Sequence, residues 1–188
     1  MADARIHDSA TVEDGATVGD DTFVWHHAQI RAGARVGSGC VIGKGVYVGA
    51  DVSIGDNCKI QNYALVFEGA EVGAGVFIGP AAILANDRFP RAVNPGGSLK
   101  SADDWHLGRV AIADGASIGA GAILIPDLTI GRWALVGSGA VVTRDVPDHG
   151  LVAGNPARQI GWACSCGHKL EQAGGRWKCP ECGREYDL

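Results

Sequence analysis

The sequence has no apolar run approaching the roughly 18 residues that cross a bilayer, so no membrane span is expected. Its first residues, Met1-Ala2-Asp3-Ala4-Arg5, lack the apolar core of a secretory signal. There is no surplus of positive charge: Lys and Arg number 16 against 21 Asp and Glu, for a formal net charge of −5. This argues against a nucleic-acid binder that works through bulk charge. The 29 glycines follow no Gly-X-Y period, so a collagen triple helix is out. Between Ala28 and Trp105 there is no histidine. These absences point to a soluble cytoplasmic protein with neither a membrane nor a nucleic acid as partner. Six cysteines in that compartment suggest metal binding or buried thiols rather than disulfides.

What the sequence does have is a repeat. An aliphatic residue falls at every sixth position from Ile6 through Val12, Val18 and Val24 to Ile78 and Leu84, fourteen times in succession. Four residues after each comes a small or β-branched residue, as at Ala10, Ala16, Thr22, Ala28 and Cys40. Glycine often follows the aliphatic residue directly, as at Gly37, Gly43 and Gly55. A period of six keeps nothing on one face of a helix, and an alternating strand needs no glycine at this spacing. The economical reading is a short strand and a corner, repeated. Three such sides close a triangular coil of 18 residues with the aliphatic residue inside. Glycine is expected where the corner demands φ > 0. Coils stacked at the ordinary strand spacing of about 4.8 Å form three parallel sheets, each coil burying its interior only against its neighbours.

The hexads stop after Leu84 and resume at Ile112, Ile118, Leu124, Ile130, Val136 and Val142. The gap from Leu84 to Ile112 is not a multiple of six, so residues 86–109 are read as an excursion loop. Aperiodic loops of that length inside a compact domain are usually functional. The expected organisation is a coil over 1–148, a coil-terminating segment over 149–162 and a separate module over 163–188.

The 18-residue coil converts sequence spacing into geometry. Glu68 and Asn86 are 18 apart and should occupy equivalent corners of neighbouring coils. Asp87 adjoins Asn86, and Asn62 lies one corner before Glu68. Arg88, Arg91, Lys100 and Arg109 in or beside the loop suit a nucleotide diphosphate, because the guanidinium fork matches phosphate oxygens. Cys40 and Cys58 are also 18 apart, in one interior column, and are read as buried thiols acting as small hydrophobes. In the tail, Cys164 and Cys166, then Cys179 and Cys182, form two close pairs about a dozen residues apart, which suits tetrahedral Zn2+. The first pair is Cys-x-Cys, so His168 is an alternative ligand. About 25 residues bury too little surface to fold alone, and four protein ligands leave no open position, so the metal is expected to be structural.

The hexads resemble the hexapeptide-repeat acyltransferases. That resemblance implies an all-β fold: a left-handed parallel β-helix with one long excursion loop. The tail resembles a small zinc ribbon. The segments Ile60-Gln61-Asn62, Val66-Phe67-Glu68-Gly69, Asn86-Asp87-Arg88-Phe89-Pro90-Arg91-Ala92 and Gly154-Asn155-Pro156-Ala157-Arg158 are similar to those of sugar-nucleotide 3-amino N-acetyltransferases. The resemblance implies acetyl-CoA as donor, a nucleotide-linked amino sugar as acceptor, and a homotrimer with sites between protomers. It implies that Asn86 orients the amine, with Asp87 and Glu68 in the catalytic pocket and Asn62, Arg88 and Arg91 on the substrate. CoA falls to Gly119, Gly137 and the Gly154–Arg158 motif. A histidine base is supplied in other hexapeptide acetyltransferases. Here His26, His27 and His106 are the histidines left for that role. Of the rival readings, a γ-type carbonic anhydrase lacks its three converging histidines. A purely structural coil would not need the loop. Acetylation of another amine or of a hydroxyl remains open.

Overall fold

The computed structural model describes residues 2–188. Strands of two or three residues alternate with corners through residue 142, in three parallel sheets. The first face has nine strands, from Arg5–Ile6 to Arg158–Trp162. The second has seven, from Thr11–Val12 to Val141–Val142, and the third has six, from Thr17–Val18 to Leu128–Ile130. Residue i pairs with i + 18, as in Leu65 with Ile83 and Val66 with Leu84. The triangular coil is therefore borne out. The last residue of each of these short coil strands points inward, and Ile30, Ile42, Ile60, Ile78 and Leu84 are fully buried. The small residues four positions on are buried as well, including Ala64, Ala82, Cys40 and Cys58. Both thiols are free: Cys40 Sγ donates to the Gly55 carbonyl at 3.2 Å and Cys58 Sγ to the Gly73 carbonyl at 3.1 Å.

The corners correct the reading of glycine. Positive φ falls three residues after the aliphatic position, not one. Gly33 and Gly39 occupy it, but so do Asp51 and Tyr63. The glycine directly after the aliphatic residue is required by close approach instead. A Cβ on Gly79 would lie 2.5 Å from Ala120 N and 2.8 Å from Gly119 C, both in the next coil. The position between the two carries a polar cap. Asp56 Oδ1 accepts the Ser38 N–H at 2.7 Å, Asn62 Oδ1 that of Lys44 at 2.9 Å, and Asp114 Oδ1 that of Ala74 at 2.9 Å. Each cap satisfies an amide that no strand ladder reaches.

The N-terminal end departs from the pattern. Ile6 keeps the hexad register, yet it is 44% exposed, because its strand and the next two each have a partner on one side only. At this end the His7 ring stacks on His26 with centroids 3.5 Å apart. Partial desolvation, then the charges of His7, His27 and Lys44, hold His26 below the ordinary imidazole value. A depressed histidine favours the fold when neutral. Its contribution is complete above about pH 6.5 and is lost as pH falls through the lowered value. Between pH 7.5 and 5.5, His26→Gln should therefore lose less Tm than the parent protein. Equal losses in parallel melts would contradict this.

Across the excursion Ala70 pairs with Val110 and Val72 with Ile112, an offset of 40 where an uninterrupted coil gives 18. The coil thus accommodates an insertion of 22 residues and then continues, Val110 pairing with Leu128. The insertion is folded. Val93 bridges Leu99, the Lys100 N–H donates to Ala92 O at 3.0 Å, and a 3-10 turn covers Ala102–Asp104. At its neck the Gly108 N–H donates to Asn86 O at 2.9 Å. The coil ends with the parallel strand Gly150–Ala153, against which Arg158–Trp162 runs antiparallel. The tail carries a three-stranded antiparallel sheet, Glu171–Ala173, Arg176–Lys178 and Glu185–Tyr186. No helix among the described residues is long and apolar enough to cross a membrane.

Candidate active site and cysteine centre

The pairing of Leu65–Val66 with Ile83–Leu84 carries on into one corner, where Glu68 and Asn86 follow at the same distance from their strands. Both abut the loop's returning end. Asn86 O takes the Gly108 N–H, and a Cβ on Gly69 would meet Gly108 O. Asn86 is half-buried, and among the described residues its side-chain amide bonds no protein group. Asp87 Oδ1 accepts the Phe89 N–H at 2.8 Å, which braces the first turn of the loop.

Two cavities lie beyond. One of about 480 Å³ is lined by Asp87, Arg91, Lys100, Ser101 and Trp105, and one of about 260 Å³ by Asp87, Lys100, Trp105, His106 and Asp127. Asp87, Lys100 and Trp105 line both. Among the described residues, the ion pairs involve neither Arg91 nor Lys100, and both line the larger cavity together with the Asp87 carboxylate. The other loop arginine is engaged: Arg88 Nη1 donates to Pro126 O at 3.1 Å and fastens the loop to the coil. Asn62 stands apart. It caps a corner between the first and second faces and lines a separate groove of about 280 Å³ with Trp25, Lys44 and Gln61. Trp105 escaped the sequence reading; its signal was an aromatic residue inside an aperiodic polar insertion.

Gly119 and Gly137 lie at close approaches between coils. A Cβ on Gly119 would strike the backbone of Gly137 and Ser138. The Gly154–Arg158 turn lies along the last strand of the second face. The Val141 N–H donates to Gly154 O at 3.0 Å and the Ala157 N–H to Val141 O at 2.8 Å. The turn contains a cis Asn155–Pro156 bond. A cavity of about 170 Å³ beside it is lined by Thr143, Arg144, Asp145, Arg158 and Gln159. Arg144 was not foreseen.

In the tail the Sγ atoms of Cys164, Cys166, Cys179 and Cys182 all lie within 4.8 Å of one another. His168 lies outside this set, its Nδ1 3.6 Å from Cys166 Sγ. Among the described residues no other group of His, Cys, Asp or Glu converges in this way. The buried core of the module is Cys164, Leu170 and Cys179, so two of its three residues are themselves donors. Around it Trp162, Trp177 and Tyr186 are partly buried. So small a core does not offset the cost of ordering the module's chain. Four converging thiols therefore fit a thiophilic divalent ion, which would supply the missing stability.

Residues 33–68 match the bacterial transferase hexapeptide (six repeats), and residues 11–50 match the hexapeptide repeat of succinyl-transferase. The chain thus carries hexapeptide repeats on a β-helical coil, and the relatives it resembles are acetyltransferases. It is 45% identical over 80 residues to the dTDP-3-amino-3,6-dideoxy-alpha-D-galactopyranose 3-N-acetyltransferase of Aneurinibacillus thermoaerophilus, covering 43% of this chain and 41% of that one. It is 40% identical over 85 residues to the serine acetyltransferase of Escherichia coli (strain K12), covering 45% of this chain and 30% of that one. Among solved structures, PerB from Caulobacter crescentus in complex with CoA and GDP-perosamine superimposes with a TM-score of 0.57 at 29% identity, covering 85% of this chain and 58% of that one. The chain therefore matches less than half of the length of these two curated relatives.

Proposed function

We propose that the protein is an acetyl-CoA-dependent N-acetyltransferase acting on the 3-amino group of a nucleotide-linked amino sugar in the cytoplasm. The observation that carries this is the unpartnered Asn86 amide at the neck of a loop whose cavities hold two unpaired cations and Trp105. The likeness to a 3-N-acetyltransferase and to a sugar-nucleotide acetyltransferase that binds CoA supports it. A sugar amine titrates near an α-amino group, at about 8, so a useful fraction is neutral without a strong base. Asn86 Oδ1 accepts a hydrogen from that amine and aims its lone pair at the thioester carbonyl. The C–N bond forms, the C–S bond breaks, and CoA leaves as the thiol with the proton shed by nitrogen. Asp87 and Glu68 bound the amine pocket. Arg91 and Lys100 face the diphosphate, Trp105 offers a stacking face to the base, and Arg88 holds the loop in place. Asn62 reaches substrate only from a neighbouring protomer. Gly119, Gly137 and the Gly154–Arg158 turn hold CoA, with Arg144 and Arg158 toward its phosphates.

A homotrimer suits the outer faces. The second face presents Tyr47, Leu65, Ile83, Ile123 and Val141 outward, and the first mixes Phe23, Val41, Phe77 and Leu135 with Arg5, Lys59 and Ser117. The third face is polar, with Thr17, Arg35, Ser53, Glu71 and Thr129. Two unlike faces carrying apolar residues suit a three-fold heterologous ring. The coil over 1–148, the terminating segment over 149–162 and the tail over 163–188 are the working units. In the tail, Cys164, Cys166, Cys179 and Cys182 hold a structural Zn2+. About one zinc per chain should survive gel filtration and be lost in Cys179→Ser. Elemental analysis showing no zinc in chelator-free material would overturn that assignment.

The deciding assay is thiol release from acetyl-CoA across a panel of nucleotide-linked amino sugars, with L-serine included because of the serine acetyltransferase likeness. Turnover on a 3-amino sugar is the expected result. Turnover on serine alone, or on 4-amino sugars alone, would replace the acceptor.

A further inference from the structure

The strand Arg158–Trp162 links the donor turn to the cysteine centre, and its side chains give it little hold of its own. Residues 158–160 are exposed, and only Gly161 and Trp162 are partly covered. Its backbone pairs along its length with the last strand of the coil, Ala153 with Arg158, Val152 with Gln159, Leu151 with Gly161 and Gly150 with Trp162. Its far end is held by the module as well. The Leu170 N–H donates to Trp162 O at 2.8 Å, Ala163 bridges Lys169, and Trp162 packs on the Cys164–Leu170–Cys179 core with Trp177 and Tyr186. Two further contacts tie that core back to the coil. The Ala163 N–H donates to His149 O at 2.7 Å, and His149 Nδ1 lies 2.9 Å from Ala163 O. The His149 ring packs against Tyr186 with centroids 4.7 Å apart, and the Tyr186 hydroxyl sits 3.1 Å from Cys164 Sγ. A continuous run of ring contact, hydrogen bonds and strand pairing therefore joins Cys164 to the Gly154–Arg158 turn, which itself rests on Val141.

We propose that the cysteine module is a metal-dependent clamp that positions the donor turn. Cys164, through Tyr186, His149 and Trp162, fixes the strand Arg158–Trp162 and so the placement of Gly154–Arg158 against the last coil. With the thiols unligated, the module retains one buried apolar side chain, Leu170, and cannot hold its own fold. The strand then keeps its ladder to Gly150–Ala153 but loses the module's hold on Trp162 and Ala163, while the coil, which buries its interior independently, stays intact. The clamp rests on the reading that this turn holds CoA only for its functional consequence. The structural coupling stands apart from it.

The test uses the full-length protein as purified and after chelator treatment, with metal content measured on both samples. Hydrogen exchange is followed by mass spectrometry, and acetyl-CoA binding by calorimetry. Metal loss should accelerate exchange in residues 150–163 and leave residues 24–142 protected. It should weaken acetyl-CoA by about five-fold or more. Tyr186→Phe, which keeps all four thiols and the ring, should retain the metal and show a smaller acceleration confined to the same segment. Unchanged exchange in 150–163 after metal loss overturns the clamp, as does loss of protection throughout the coil. Faster exchange in 150–163 with no acetyl-CoA binding by the metal-loaded protein keeps the clamp and removes the donor reading instead.

Discussion

Gly79→Ala lowers the stability of the coil by about 3 kcal/mol, whereas Gly121→Ala costs about 1 kcal/mol. Both glycines sit at corners but two hexad positions apart, Gly79 directly after Ile78 and Gly121 three residues after Ile118. The Gly79 Cβ would enter the backbone of the next coil, 2.5 Å from Ala120 N and 2.9 Å from Ala120 Cα, and no side-chain rotation can relieve that. Relief requires separating two coils whose ladder also carries Gly79 N–H to Ile118 O at 2.8 Å. Gly121 has φ +65° and nothing within 4 Å of its Cβ position, so only the left-handed conformation is charged against it. Asp51, Asn57 and Tyr63 already occupy that conformation elsewhere in the coil. Denaturant midpoints at unchanged m-value measure the difference. Equal losses for the two substitutions would refute the close-approach account.

Asn86→Ala should reduce kcat/KM for the amino-sugar acceptor by about 10²-fold or more and leave Tm unchanged. The separation is built into the bonding. What Asn86 contributes to the fold is its backbone carbonyl, which takes the Gly108 N–H and survives the substitution. Its side-chain amide supports nothing in the protein, so truncation breaks no internal bond. Asn86→Asp probes the same point from the other side, since a carboxylate would hold the amine as ammonium and quench its lone pair. Near-parental turnover by Asn86→Ala in a folded protein would move the acceptor site elsewhere.

The scaffold was legible because its rule is local. A strand of two residues and a corner of four repeat without reference to anything distant, so Ile30, Ile42 and Ile60 announce their burial by position alone. The same rule misled at the boundary: Ile6 carries the period, but no coil lies beneath it. Glycine was seen but misattributed, since spacing does not distinguish a φ requirement from a neighbouring backbone 2.5 Å away. The polar residues were harder. Asn62 and Arg88 have the side chains of ligand-binding residues, yet Asn62 Oδ1 is engaged by the Lys44 N–H and Arg88 by Pro126 O. Such pairings span 18 and 38 positions, and only the fold reveals them. The convergence of the four tail cysteines was legible in their spacing. That Tyr186 and His149 fasten this site to the coil could not be read from residues so far apart.

A ladder in which each turn is bonded only to the two beside it keeps no record of how many turns there are. Adding or removing a whole turn between the excursion and the Gly154–Arg158 segment would be invisible to every remaining pair, because the offset of 18 is restored at the seam. The distance between the Glu68–Asn86 corner and the Gly154–Arg158 turn is therefore quantised, in steps of about 4.8 Å. Evolution can lengthen or shorten it by whole steps without redesigning either end, and on the proposed function each step changes the reach asked of a donor's flexible arm.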